Sequence, residues 1–138
     1  MQTFLPYPNF RQTAACLDNR RLGKQRVEAY QILRTLQNPA QRGWQRHPAV
    51  LMWRGYEEAL RDYMNAMIQE WVRRGFRNTM AVAAVTEPPT LPPWLGEPAL
   101  HAAHRANLLR KDPAFYGHYG WSEPPDLPFI WPVALERA

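Results

Sequence analysis

Between Leu17 and Leu36 the apolar residues return at helical spacing. Leu22, Ala29, Leu33 and Leu36 are seven, four and three residues apart, which aligns them on one face of a helix. Arg21, Lys24, Glu28, Gln31 and Thr35 keep the same rhythm one stripe over, so Lys24 stands one turn before Glu28 and Arg21 two turns before it. A first long helix is predicted from about Ala14 or Leu17 to Leu36, ended by Asn38-Pro39. Ahead of it, Pro6 and Pro8 predict an extended lead-in over Met1 to Thr13. A second helix is predicted from Pro48, suited to the first helical position, to Gly75, suited to a left-handed cap. Its buried stripe is Trp53, Tyr56, Leu60, Tyr63 or Met64, Met67 and Trp71, with charged residues such as Arg61, Glu70, Arg73 and Arg74 outside. Residues 77–86 read as either a short helix or irregular chain packed on the core. The five-proline stretch from Glu87 to Pro98 reads as a loop pinned by Leu91, Trp94 and Leu95. A third helix runs from Pro98 to about Lys111, closed by Asp112-Pro113, and the ring- and proline-rich tail from Phe115 to Val133 should lie extended across the helices. No alternation is long enough for a sheet and no internal repeat occurs. The expected class is all-α, three main helices and an extended aromatic tail in one compact domain.

Composition narrows the function. At 138 residues with six tryptophans, the chain can bury a real core in a single domain. No run approaches eighteen uninterrupted apolar residues, so no membrane span is expected, and MQTFLPYPNF lacks the basic start and apolar core of a signal peptide. Cys16 is the lone cysteine, which fits a reducing cytoplasm. The net charge is +5, and fifteen of the seventeen basic residues are arginine, leaving Lys24 and Lys111 as the lysines. Arginine prevails where a planar fork grips phosphate, so a polyanion such as nucleic acid is one natural partner. A genome that favours arginine over lysine throughout explains the same count equally well.

Several groups could carry chemistry. Taken alone, the Glu28 stripe reads first as a solvated face with an i,i+4 ion pair worth about 0.2–0.5 kcal/mol. His101 and His104 have a spacing that can seat a metal, but no second pair of ligands accompanies them, so hydrogen-bonding or core roles are favoured. No phosphate-binding glycine loop or nucleophile-elbow motif occurs. Phe115-Tyr116-Gly117-His118-Tyr119-Gly120-Trp121 sets four rings beside the basic end of the third helix, a pattern shared by base-stacking surfaces and by aromatic clasps over a helical core. By itself the segment favours the clasp. A chain-terminal α-amine titrates near 7.7–8.0 and a lysine near 10.4, so the former supplies more neutral nucleophile at neutral pH. Beside a carboxylate, such an amine can attack a sugar C1′ and form a Schiff base; Met1 or Lys24 would have to serve here.

Three segments, in order, carry a resemblance. The first is Leu17-Asp18, Leu22 and Glu28. The second is His47-Pro48-Ala49-Val50-Leu51 with Ala59-Leu60-Arg61 and Trp71-Val72-Arg73-Arg74-Gly75-Phe76. The third is Pro113, Phe115, Tyr116, Tyr119 and Gly120. Together they resemble the pyrimidine dimer DNA glycosylases, the phage endonuclease V family, over nearly the whole chain. The resemblance implies a compact all-α enzyme that uses no metal or cofactor. It acts on double-stranded damaged DNA with a base flipped out of the duplex. Carried over by position, it implies that Glu28 is the catalytic acid/base and that the amine at the start of MQTF is the nucleophile. Gln2 is too large for the usual removal of methionine, so that amine is Met1's own, whereas the phage enzyme presents a threonine amine. The segment before Leu17 is several residues longer here, and Val27 and Gln31 stand where the phage enzyme has arginines.

The expected function is a DNA repair glycosylase with AP-lyase activity. It would cleave the N-glycosidic bond of damaged bases, pyrimidine dimers foremost, through a Schiff base on the N-terminal amine. Arg20, Arg21, Lys24, Arg26, Arg46, His47 and Arg105 are the expected phosphate or lesion contacts, and Tyr116 and Tyr119 the expected stacking rings. The alternatives are a non-catalytic nucleic-acid-binding helical domain and a glycosylase for another lesion. A cytoplasmic monomer without an obligate protein partner is expected in either case.

Overall fold

The computed structural model of the chain describes residues 1–40, 42–86 and 88–132. Among these residues the chain forms helices and irregular segments and no strand. The helices are α1 (Phe10–Cys16), α2 (Asn19–Gln37), α3 (Pro48–Leu51), α4 (Glu57–Arg73), α5 (Pro98–Lys111) and α6 (Pro113–Tyr116), followed by a 3-10 turn over Gly117–Tyr119. The all-α class is as expected. The partnership that dominates the packing is α2 on α4, with α1 also laid on α4. Leu22, Ile32, Trp53, Leu60, Tyr63 and Met67 are buried at the centre of the core, joined by Leu108 of α5 and Tyr116 of α6.

Two helices form where one was expected at the start. The Asn9 side chain accepts the Gln12 N–H at 2.9 Å and starts α1 at Phe10, so the lead-in expected to stay extended to Thr13 instead bends over residues 6–9 and ends there. Leu17 and Asp18 then return to extended backbone, and the Asp18 carboxylate accepts the Arg21 N–H to cap α2. Arg74 holds this corner from the end of α4. Its guanidinium donates to Ala14 O, Ala15 O and Asn19 Oδ1 at 3.2, 3.1 and 2.9 Å. Glu70 accepts from both Arg73 and Arg74 and is only 9% exposed, so it belongs inside rather than on the outer face. Hydrogen bonds from Arg73, opposed by burial and aided by Arg74, hold its carboxyl at about 2.

The second expected helix is likewise divided. The backbone turns at Gly55 (φ +88°), which separates α3 from α4, and Gly75 (φ +91°) ends α4 as expected. Residues 77–86 take the irregular alternative because Asn65 of α4 pairs with both backbone groups of Ala83, at 2.9 and 2.8 Å. In the proline-rich loop Trp94 packs edge-on to Trp53 and donates to Met52 O, and Leu95 lies against the core. Leu91, expected to help pin the loop, is exposed instead, while Pro92 beside it is buried. Glu87, where that loop was to begin, and Val133, at the end of the aromatic tail, lie outside the described residues. The tail is not extended from its start: Asp112 accepts the Phe115 N–H and nucleates α6 and the turn after it. Among the described residues no helix is long and apolar enough to cross a membrane.

Gly23 of α2 faces the Trp71 ring of α4. A methyl group there would stand 2.8 Å from a Trp71 ring carbon, inside van der Waals contact, so glycine leaves the ring the room it occupies. That places Trp71, Arg26 and the C-terminal turn of α4 beside the face that carries Glu28.

Candidate active site

The site is assembled from an irregular segment whose backbone finds its partners in side chains. Between Gln2 and Tyr7 there is no helix or sheet to satisfy the peptide groups. Gln25, buried on α2 one turn before Glu28, donates from Nε2 to Gln2 O (3.0 Å) and accepts at Oε1 from Phe4 N–H (3.2 Å). The buried Tyr63 hydroxyl lies 2.7 Å from both Phe4 O and Gln25 Oε1, and Trp53 Nε1 donates to the Thr3 hydroxyl. These bonds lay the start of the chain along α2. The Met1 nitrogen comes to rest 3.8 Å from Glu28 Oε2, while Gln25 Nε2 approaches Glu28 Oε1 at 3.4 Å.

At 3.8 Å the amine and carboxylate attract each other without a direct hydrogen bond. A cavity of about 300 Å³ opens over them, lined by Met1, Gln2, Phe4 and Glu28 and by four cations, Arg20, Arg21, Lys24 and Lys111. The Glu28 side chain keeps 18% of its surface exposed to this space. Two further hollows share its walls. One of about 420 Å³ lies between Met1, Tyr30, Gln31, Arg34, Thr35 and Trp44. The other, about 480 Å³, runs along Arg20, Lys24, Glu28 and Gln31 to Trp71. Met1 thus lines the first and second hollows, and Glu28 the first and third.

Of the residues singled out from sequence, Met1, Glu28, Arg20, Arg21 and Lys24 come together in one cavity. Arg21 also pairs with Asp18 at 3.2 Å. Arg26 faces the neighbouring hollow, its guanidinium over the Trp71 ring at 4.9 Å and donating to Asn78. Arg46 is exposed on the loop before α3. His47 caps α3 by accepting the Ala49 N–H. Burial, then the positive charge of the Met1 terminus, depress its basicity, which marks it as a neighbour of the amine. Arg105 lies elsewhere, donating to Pro6 O and paired with Glu123 at 2.8 Å. Tyr116 and Tyr119 do not present stacking faces. Tyr116 is fully buried, bonded to Asp18 through its hydroxyl, and stacked on Trp121. Tyr119 is half-buried, stacked on Trp121, and donates to Cys16 O. The tail is a clasp because its rings pack on one another and on the core more fully than they could on solvent-facing bases. Burial pushes the Cys16 thiol up to about 12, leaving it no thiolate to act as a nucleophile.

Lys111, Gln25 and the Trp44–Tyr30 hollow were missed. Gln25 left a sign: it sits three residues after Leu22 and four before Ala29, on the apolar face, where an amide needs buried partners.

A model of the family described as pyrimidine dimer DNA glycosylase matches residues 1–84, well over half the chain. The chain belongs to that family. Neither the curated proteins nor the solved structures yield a match. The glycosylase family match spans α1 to α4, the Met1 terminus and Glu28, and ends before α5.

In this glycosylase the two histidines of α5 are hydrogen-bonded at every ring nitrogen, so neither is free to ligate a metal. Leu5 N–H can only donate, so His104 Nδ1 accepts it (2.9 Å) and Nε2–H donates to Ile130 O (3.2 Å). His101 has the opposite tautomer, with Nδ1–H donating to Leu5 O (2.7 Å) and Nε2 accepting Gly96 N–H (2.9 Å). Burial holds His101 below the ordinary value of 6.5 and His104 down at about 3. The unfolded chain therefore binds more protons below pH 6.5, and stability that is intact above that value falls as pH falls toward 3. Each such histidine contributes a slope of about 1.4 kcal/mol per pH unit inside its window. Urea unfolding should show the midpoint dropping between pH 6.5 and 4.5, before the lowered carboxyl of Glu70 begins to matter. A flat midpoint over that range would mean that the histidines are not buried neutral.

Proposed function

We propose that this glycosylase also has AP-lyase activity and works through the Met1 amine. The observation that carries this is the 3.8 Å separation of Met1 N and Glu28 Oε2 beneath a cationic cavity. In this reading the amine lone pair attacks C1′ of the damaged nucleotide. The new N–C1′ bond replaces the glycosidic bond, and the base departs with the bonding pair and takes up a proton. Sugar ring opening then gives an iminium joining C1′ to the Met1 nitrogen, with the ring oxygen leaving as a hydroxyl. Glu28 stands close enough to balance the iminium charge and to accept the C2′ proton, so that electrons flow to expel the 3′ phosphate. Water finally releases the sugar and restores the amine.

The surroundings fit duplex DNA as the partner. Arg20, Arg21, Lys24 and Lys111 ring the cavity where phosphates flanking a lesion would lie. Trp44 is 54% exposed and is the non-glycine residue held at positive φ (+72°) among the described residues, a strained backbone beside the hollow it shares with Met1. With Tyr30, exposed and overlain by Arg34, it replaces the tail tyrosines as the aromatic surface offered to unpaired bases.

Sodium borohydride, added with a duplex carrying either an abasic site or a cyclobutane dimer, should trap a covalent protein–DNA adduct attached at the N-terminal peptide. Attachment at Lys24 would move the nucleophile. An unmodified protein band at high enzyme excess would remove the lyase step.

A further inference from the structure

We propose that His101 and His104 are positioning residues: together they clamp both peptide groups of Leu5 and so set where the Met1 amine stands against Glu28. The proposal rests on the reading of Met1 as nucleophile. Leu5 is fully buried, and its N–H and C=O each end on a different imidazole, His104 and His101, one turn apart on α5. The next carbonyl, Pro6 O, accepts from Arg105 of the same helix. Gln25 and Tyr63 hold the chain nearer the amine, from α2 and α4. The start of the chain is thus fixed at two stations, one beside Glu28 and one on α5.

The magnitude shows why the second station matters. Extended chain advances about 3.3 Å per residue. A slip of one residue would shift the amine by nearly the whole 3.8 Å that now separates it from the carboxylate. It would also pull Thr3, Phe4 and Leu5, all buried now, out of the sites they fill. A lone extended segment has no ladder to resist slippage, so directional bonds to a single residue give it its register. The opposite tautomers make the clamp specific, because one ring offers an acceptor to the N–H and the other a donor to the C=O. Since α5 begins beyond residue 84, the two histidines lie outside the family match, whereas the Leu5 they hold lies within it.

Amide substitutions separate positioning from packing. An asparagine amide can place an acceptor or donor where Nδ1 stands, keeping the Leu5 bond and losing the one at Nε2. A glutamine amide reaches the Nε2 position, keeping Gly96 or Ile130 and releasing Leu5. Three readouts apply to H101N, H104N, H101Q and H104Q: melting temperature, single-turnover borohydride trapping at saturating abasic duplex, and the acylation rate of the α-amine located by peptide mass. Because a displacement of 1 Å can cost about 100-fold, the glutamine variants should trap at least about tenfold more slowly. Their α-amine should also label several-fold faster. The asparagine variants, although they delete more of the ring, should restore both readouts to near wild type. Trapping and labelling that instead follow melting temperature, with asparagine the worse, would overturn the clamp, as would glutamine variants that leave both unchanged. If wild-type protein gives no adduct, the lyase reading fails, and the labelling pattern alone decides whether the histidines hold the terminus.

Discussion

Replacing Glu28 with glutamine is expected to slow strand cleavage by about 10²–10⁴-fold while DNA affinity stays level or rises. The substitution is nearly isosteric, so the helix and the Gln25 contact survive. It removes the negative charge 3.8 Å from the Met1 nitrogen and, on the proposed reading, the base that takes a proton from the sugar. A neutral amide neither offsets an iminium nor accepts that proton. Arg20, Arg21, Lys24 and Lys111 meanwhile lose the carboxylate that partly neutralises them, which leaves them more attractive to phosphate. Single-turnover cleavage of dimer-containing and abasic duplexes, alongside equilibrium binding at fixed salt, reads both halves. Undiminished cleavage by Glu28→Gln would take the acid/base role away from Glu28. Tighter binding with no cleavage by either protein would make the molecule a non-catalytic binder on the family scaffold.

The second large effect is expected at Gln25, which does no chemistry. Gln25→Leu fills about the same volume but strands the buried Phe4 N–H and the partly buried Gln2 O. Each unpaired group costs about 1–3 kcal/mol, so a loss of roughly 2–5 kcal/mol in unfolding free energy is expected. Tyr63 retains Phe4 O and so keeps part of the anchorage. Trapping should slow by more than the unfolded fraction accounts for, because the surviving folded molecules no longer hold the amine at one distance from Glu28. Urea unfolding at neutral pH measures the first effect and trapping at low temperature the second. A variant as stable as wild type would show that the terminal segment is held by apolar burial of Phe4 and Leu5 rather than by the amide.

The residues that were legible in advance are those whose signals are local. Leu22, Ala29 and Leu33 announce α2 by period, Gly75 announces the end of α4, and Arg21 and Lys24 join Glu28 by helical spacing, with Arg20 added by the resemblance. The corners were less visible. Asn9 and Asp18 are both sound helix caps, yet the prolines before α1 and the continuous stripe after it argued for an extended start and one unbroken helix. The tail misled for a different reason: composition says that Tyr116 and Tyr119 are aromatic, but whether a ring faces solvent depends on what else covers it, here Trp121 and the Asp18 corner. The anchorage of the first residues was least accessible. Side chains bonded to an irregular backbone leave no period to detect, and partners such as Leu5 and His104 are separated by ninety-nine positions.

That separation has a consequence for synthesis. Leu5 is made early, and the two imidazoles that grip it follow ninety-six and ninety-nine positions later. Contacts so distant along the chain close late and slowly. A growing polypeptide would therefore leave Leu5 unclamped until α5 has emerged and folded.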